Sequence, residues 1–153
     1  MSQPKQPQLE LATFLPYQLS VLSNRVSSTI ASAYQDKFAL SVTEWRIMAV
    51  LGEEAGVSAD TVSQRTEVEK SLISRALKRL IARNLVRRET DQNDARKHCL
   101  RLSKTGLDIY QQIVPVSKQY ERDLFGCLSV AERAAFEHLI TKVRKHIESG
   151  DPS

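Results

Sequence analysis

Lys70, Ser71, Ser74, Arg75, Lys78 and Arg79 fall on one side of a stretch whose other side is Leu72, Ile73, Ala76, Leu77, Leu80 and Ile81. Apolar residues recurring every three or four positions predict a helix with an inward stripe, here from about residue 69 to 83. Cations and hydroxyls repeated along the outward side can pair with phosphates and with the polar edges of bases, and a helix is narrow enough to enter the major groove of a duplex. A second group of candidates follows at Asp94-Ala95-Arg96, on a turn that would carry an arginine clear of the body of the molecule.

Elements to hold both groups can be read around them. Thr66 and Glu69 form a capping-box pattern ahead of the basic helix, and Asn84 suits the left-handed position that ends one. Residues 85–89 and 97–102 mix apolar, β-branched and basic side chains about the turn formers Asp91-Gln92-Asn93-Asp94, which predicts a hairpin, the wing of a winged helix. Upstream, Ser41 and Glu44 form a second capping box before an apolar helix through Trp45, Ile47, Met48, Val50 and Leu51 that extends to about Glu54. Gly56 turns the chain, and Ser58 caps a short helix to about residue 65 with Val62 inward.

Charge is segregated in the same sense. Residues 65–104 hold twelve Lys and Arg against five acids, a net of +7, while the rest of the 153-residue chain carries −3 and the total is +4. A basic middle between mildly acidic ends favours a polyanionic partner, because neutralising phosphates releases counterions.

Beyond the winged unit, Leu15, Leu19, Leu22, Val26, Ile30 and Ala33 predict a long helix from about Leu9 to Gln35, begun or kinked by Pro16. Ser103 caps a helix through Leu107, Tyr110, Ile113, Val114, Ser117, Tyr120 and Leu124, and Ser129 with Glu132 caps a last one through Phe136, Leu139, Ile140, Val143 and Ile147. The fold expected is mainly α with a small β-hairpin: a winged helix-turn-helix DNA-binding region over 37–102, and a helical dimerisation region formed by 9–36 and 103–148. Polar tails at 1–8 and 149–153 complete it. A winged module needs only about 70–80 residues, so the flanking stripes call for a partner surface, and a second copy of the chain matches the two-fold symmetry of a pseudo-palindromic site.

From Leu40-Ser41-Val42-Thr43-Glu44-Trp45, through Glu69 to Leu80 and Asn84-Leu85-Val86, to the Asp-x-Arg of Asp94-Ala95-Arg96 and Leu102-Ser103-Lys104-Thr105-Gly106, the chain resembles the MarR (multiple antibiotic resistance regulator) family over about residues 9–148. The resemblance implies a homodimeric regulator, commonly a repressor, that binds palindromes through helix and wing and is released by small aromatic acids or oxidants. Asn84 stands where many relatives have Gly, a backbone that Asn also adopts.

On these positions Lys70, Ser71, Ser74, Arg75 and Lys78 are candidates for base edges and nearby phosphates, Arg75 being able to grip guanine with two hydrogen bonds. Leu72 would touch a thymine methyl if it faced outward. Arg96 is expected in the minor groove, with Asp94 either holding its guanidinium or simply forming the turn, and Lys97 beside it on the strand. Ser58, Thr61, Ser63 and Gln64 are expected at phosphates. The resemblance further implies an effector site about Tyr17, Ser20, Asn24, Arg25, Trp45 and Arg46, where an arginine beside an aromatic wall suits an aromatic or phenolic carboxylate.

Other functions are less well provided for. His98, His138 and His146 are scattered, no Gly-rich phosphate loop or catalytic triad is evident, and no enzyme is expected. Cys99 and Cys127 lack neighbours at metal-ligand spacing, so neither metal nor cofactor is expected; a thiol-based oxidant-sensing repressor through either cysteine is the first alternative. The second, a winged helix serving only as a protein-interaction module, would not need the basic face. No apolar run spans a membrane and the first residues lack a signal peptide's apolar core, so a cytoplasmic location is expected.

Overall fold

A computed structural model of the chain describes residues 7–150, and the outermost parts of the two predicted tails, 1–6 and 151–153, lie outside the described residues. The elements run α1 (Leu15–Phe38), α2 (Val42–Glu53), α3 (Ala59–Thr66), α4 (Lys70–Ala82), β1 (Val86–Thr90), β2 (His98–Leu102), α5 (Lys104–Phe125) and α6 (Val130–Ser149). Two compact units divide the chain, Met1–Val114 and Pro115–Ser153, with the boundary inside α5 at its internal proline.

The first unit is built on Ile47, Met48 and Leu51 of α2, Val62 of α3, Ile73, Ala76, Leu77 and Leu80 of α4, and Leu85, Val86 and Leu100 from the wing, all at most 3% exposed. Each large side chain so buried contributes roughly 1.5–3 kcal/mol. Helix ends are fixed by the residues the sequence marks. Ser41 and Glu44 close a reciprocal capping box, Ser58 accepts from the Thr61 N–H, and Ser129 and Glu132 close a box on α6.

Helix α4 stops in a Schellman arrangement. Asn84 is left-handed at φ 55°, its N–H donates to the Ile81 carbonyl and that of Leu85 reaches the Leu80 carbonyl at 2.9 Å, with Leu85 buried as the accompanying apolar contact. Helix α1 ends similarly at Ala39, but here a Cβ-bearing residue without a polar side chain sits at φ 51°, a conformation costing about 1–2 kcal/mol, with Leu40 buried behind it.

Strands β1 and β2 pair antiparallel with Val86 opposite Leu102 and Thr90 opposite His98. A bridge between Val57 and Leu100 fastens the wing to the α2–α3 turn, where Gly56 at φ 84° donates to the Leu100 carbonyl at 2.8 Å. Between wing and α5, the Ser103 hydroxyl donates to the Asn84 carbonyl at 2.5 Å while accepting from the Gly106 N–H at 2.9 Å. A Cβ on Gly106 would stand 2.0 Å from the Leu85 carbonyl oxygen, so this close approach requires glycine.

Three expectations need correction. Helix α1 begins at Leu15, not near Leu9, because Pro16 falls in its first turn, where its missing N–H costs nothing. Within the chain it buries Ala31 and Tyr34 and half-buries Val26, Ile30 and Ala33 of the stripe, while Leu15, Leu19 and Leu22 are exposed. Thr66 does not cap α4. It is the last residue of α3, its hydroxyl donates to the Val62 carbonyl, and Glu69 at the α4 N-cap makes no capping bond. Leu72 and Ile81, assigned inward, are 43% and 36% exposed, since the core needs a narrower stripe of α4 than six apolar positions supply.

In the second unit, Phe125 and Phe136 lie with ring centroids 5.9 Å apart and Arg133 pairs with Glu121 and Glu137. Helix α6 has no buried residue; Val130, Leu139, Ile140, Val143 and Ile147 are all exposed. It continues through Ser149 to a left-handed Gly150 cap, so the structured part reaches past the predicted start of the tail at 149.

Candidate nucleic-acid interface

The cations around α4 separate into two groups by what they touch. Arg65 is tied to Glu53 and Glu54 at the end of α2, and Lys70 lies 3.2 Å from Asp60 across the α3–α4 turn. Arg79 donates through Nε to Glu44 at 2.7 Å, and Arg83 donates to the Phe38 and Ala39 carbonyls at 2.6 and 3.0 Å. Arg79 and Arg83 are thereby bound into the unit, whereas the Lys70–Asp60 pair is exposed on both sides and contributes little. Arg75 and Lys78, with Ser71 and Ser74, are exposed on α4, and among the described residues their side chains have no hydrogen bond or ion pair. The outward face of α4 therefore carries two cations and two hydroxyls whose bonding capacity is open to a ligand.

Glu44 is the buried member of its pair, with its side chain 5% exposed against 56% for Arg79. One carboxylate oxygen takes Arg79 and the other accepts the Ser41 N–H at 2.9 Å, so a single acidic residue caps α2 and anchors α4. Arg79→Ala is expected to lower unfolding stability by about 1–3 kcal/mol, as a buried carboxylate loses a charged donor. Urea unfolding of Arg79→Ala, Glu44→Ala and the double variant would show a smaller loss in the double than the sum of the singles; simple additivity would mean that the contact contributes nothing.

At the wing tip Arg96 and Lys97 are exposed and Asp94 is half-buried. The Asp94 carboxylate accepts the backbone N–H of Arg96 at 3.0 Å, and Asp91 likewise accepts from the Asn93 N–H at 2.7 Å. Of the two roles considered for Asp94, the turn former is the one present: it fixes the backbone that presents Arg96, and the guanidinium is not held by it. On α3, Gln64 is exposed, whereas Ser58, Thr61 and Ser63 are half-buried. The Ser58 hydroxyl is engaged with Thr61, and that of Ser63 donates to the Val68 carbonyl at 2.6 Å.

The residues expected at an effector site do not form one cluster within the chain. Tyr17, Ser20, Asn24 and Arg25 are exposed along the N-terminal half of α1, Tyr17 roughly 25 Å along the helix from Tyr34 at 1.5 Å per residue. Trp45 and Arg46 do come together with α1. Trp45 stacks between Tyr34 and Tyr110, with centroids 5.7 and 5.9 Å away, and Arg46 reaches Ser27 at 3.4 Å. Burial raises the Tyr34 phenol above its usual pKa, while the Arg46 charge pulls it down. Tyr34 and Tyr110 were not singled out for this site from the sequence. The Tyr110 ring lies against Gly52, where a Cβ would fall 2.4 Å from it.

Cys99 is half-buried in β2 and Cys127 is exposed in the α5–α6 turn; both are free thiols. Among the described residues no three His, Cys, Asp or Glu side chains are grouped to hold a metal, and no helix is long and apolar enough to cross a membrane.

Three helices closing on a two-stranded wing, with an exposed basic face on the last of them, define a winged helix-turn-helix fold. Residues 40–97 match the MarR family model. The transcriptional regulator HosA of Escherichia coli O157:H7 is 25% identical over 104 residues, 68% of this chain and 77% of that protein. A MarR/EmrR family regulator from Acinetobacter sp. ADP1 superposes with a TM-score of 0.85 at 23% identity, covering 92% of this chain and 99% of the other. A mutant E. coli MarR complexed with operator DNA gives 0.76 at 20% identity over 90% and 99% of the two chains. The chain thus matches the MarR family's sequence pattern within its winged unit, and its fold is similar to that of MarR family structures along most of its length.

Proposed function

We propose that this protein is a homodimeric repressor that binds a pseudo-palindromic operator and leaves it when a small aromatic or phenolic acid binds. The observation that carries the reading is the outward face of α4, where Ser71, Ser74, Arg75 and Lys78 are without partners among the described residues while Arg79 and Arg83 beside them are bonded within the unit. Two such helices, one from each copy, would enter successive major grooves. Arg96 would reach the minor groove beside each, Lys97 the adjoining backbone, and Gln64 with the α3 hydroxyls the flanking phosphates.

Dimerisation is supported by the apolar surface that each unit leaves uncovered: Leu15, Leu19 and Leu22 on α1, and Leu139, Ile140, Val143 and Ile147 on α6. We assign the paired surface to 9–36 and 103–148, with 37–102 reserved for DNA, and the protein to the cytoplasm, where its operator is. In this reading the effector's carboxylate sits on the Arg46 guanidinium and its ring at the edge of the Trp45 indole, whose faces are taken by Tyr34 and Tyr110, with Asn24 and Arg25 nearer along α1 than Tyr17 and Ser20.

The proposal is tested by selecting duplexes from a random pool and measuring binding and melting temperature with a panel of aromatic acids. A selected two-fold sequence and one acid that both weakens DNA binding and stabilises the free protein are expected. At a hundred times its Kd such a ligand adds about 2.7 kcal/mol of stability. If every acid left both the melting curve and the DNA complex unchanged, the effector reading would fall while DNA binding stood.

A further inference from the structure

Arg79 in the last turn of α4 and Arg83 at its C-cap are four residues apart, and both reach the junction between α1 and α2. Arg79 has a buried carboxylate as its partner and its loss is felt as stability. Arg83 is different: it is exposed, and its guanidinium donates to two main-chain carbonyls, Phe38 at 2.6 Å and Ala39 at 3.0 Å. These are the last carbonyls of α1, where a helix carries partial negative charge and lacks intrahelical donors. The bonded segment is also the strained one, since Ala39 is left-handed without being glycine.

We propose that Arg83 is a positioning residue for duplex recognition: by clasping the C-terminal carbonyls of α1 it fixes the pitch of α4 against α1, and with it the aim of Ser71, Ser74, Arg75 and Lys78. The inference rests on the reading that α4 enters a major groove. Base-edge hydrogen bonds are short and directional, so a small rotation of α4 costs sequence discrimination before it costs attraction to phosphate, which depends mainly on charge. The same contact makes α1 mechanically continuous with the reading helix. A displacement of the end of α1 is carried into α4 through two hydrogen bonds as well as through the core that both helices share.

The test compares the full-length protein with Arg83→Ala and Arg83→Lys, on a duplex selected by the unaltered protein and on a scrambled duplex of equal length, over a range of salt. Amide hydrogen exchange without DNA is measured alongside. Arg83→Ala is expected to weaken the selected duplex roughly two- to thirtyfold. Binding to the scrambled duplex and the salt slope should be unchanged, the Leu40 and Arg83 amides should exchange faster, and Lys should restore part of the discrimination. A salt slope lower by about one would make Arg83 a phosphate contact and overturn the proposal. Equal weakening on both duplexes, or no change on either with unaltered exchange, would also overturn it. Failure of the unaltered protein to select any duplex would instead refute the groove reading, and the exchange experiment would still report on the clasp.

Discussion

Arg75→Ala is expected to cut affinity for the selected duplex by about 1–3 kcal/mol, roughly five- to 150-fold, while leaving the melting temperature of the free protein unchanged. Its side chain is exposed and has no partner among the described residues, so truncation removes nothing that the fold depends on. Of its neighbours three and four positions on, Lys78 is likewise without a partner among the described residues, whereas Arg79 is bonded to Glu44. A guanidinium on the open face can span two acceptors on guanine, and a wrong base leaves those donors unpaired in a dry interface. The loss should therefore concentrate at one position of each half-site. Competition with single-base variants measures it: Arg75→Ala should flatten the preference at that position and keep the others. Full affinity and an unflattened preference would remove Arg75 from the readout.

A large effect on stability is expected at Gly106. An added methyl there would meet the Leu85 carbonyl oxygen at 2.0 Å, and the segment has no slack, since the Ser103 N–H also bonds the Leu85 carbonyl and the Ser103 hydroxyl bonds Asn84. Gly106→Ala should recover about 1 kcal/mol of helix propensity, but forcing backbone apart in a packed unit costs typically 1–3 kcal/mol and more when no side chain can yield. A net loss of about 2 kcal/mol, or roughly 4–8 °C in melting temperature, is the expected result. Thermal unfolding followed by circular dichroism measures it. An unchanged or higher melting temperature would mean that wing and α5 are not joined as described.

Much of this was legible in the chain because it rests on local chemistry. The capping boxes at Ser41 and Ser129, the Ser58 and Ser103 caps and the left-handed Asn84 are decided by residues within one turn of each other, and each was read from its letters. Hairpin strands were placed within one or two residues for the same reason. The Thr66 pattern misled because a capping box specifies only two residues three apart, and here Thr66 was already the end of α3. Which apolar residues of α4 face inward could not be settled by period alone: with Leu72 and Ile81 at the margins of the stripe, only the width of the groove they approach decides.

Long-range pairing was the part hidden from the sequence. Arg75, Arg79 and Arg83 are indistinguishable as letters on a basic helix, yet one is open, one is paired with a carboxylate 35 residues away and one clasps carbonyls 44 and 45 residues away. Counting them alike overstates the charge available to DNA. The Tyr34–Trp45–Tyr110 stack was hidden for the same reason, its three rings coming from three helices.

The central claim is that the open face of α4 and the wing tip together bind duplex DNA, and the salt dependence of binding tests it most directly. For a dimer making about six to ten phosphate contacts, log affinity should fall linearly with log salt, by on the order of a thousandfold or more between 50 and 200 mM. Absence of duplex binding at low salt, for selected and random sequences alike, would contradict the account.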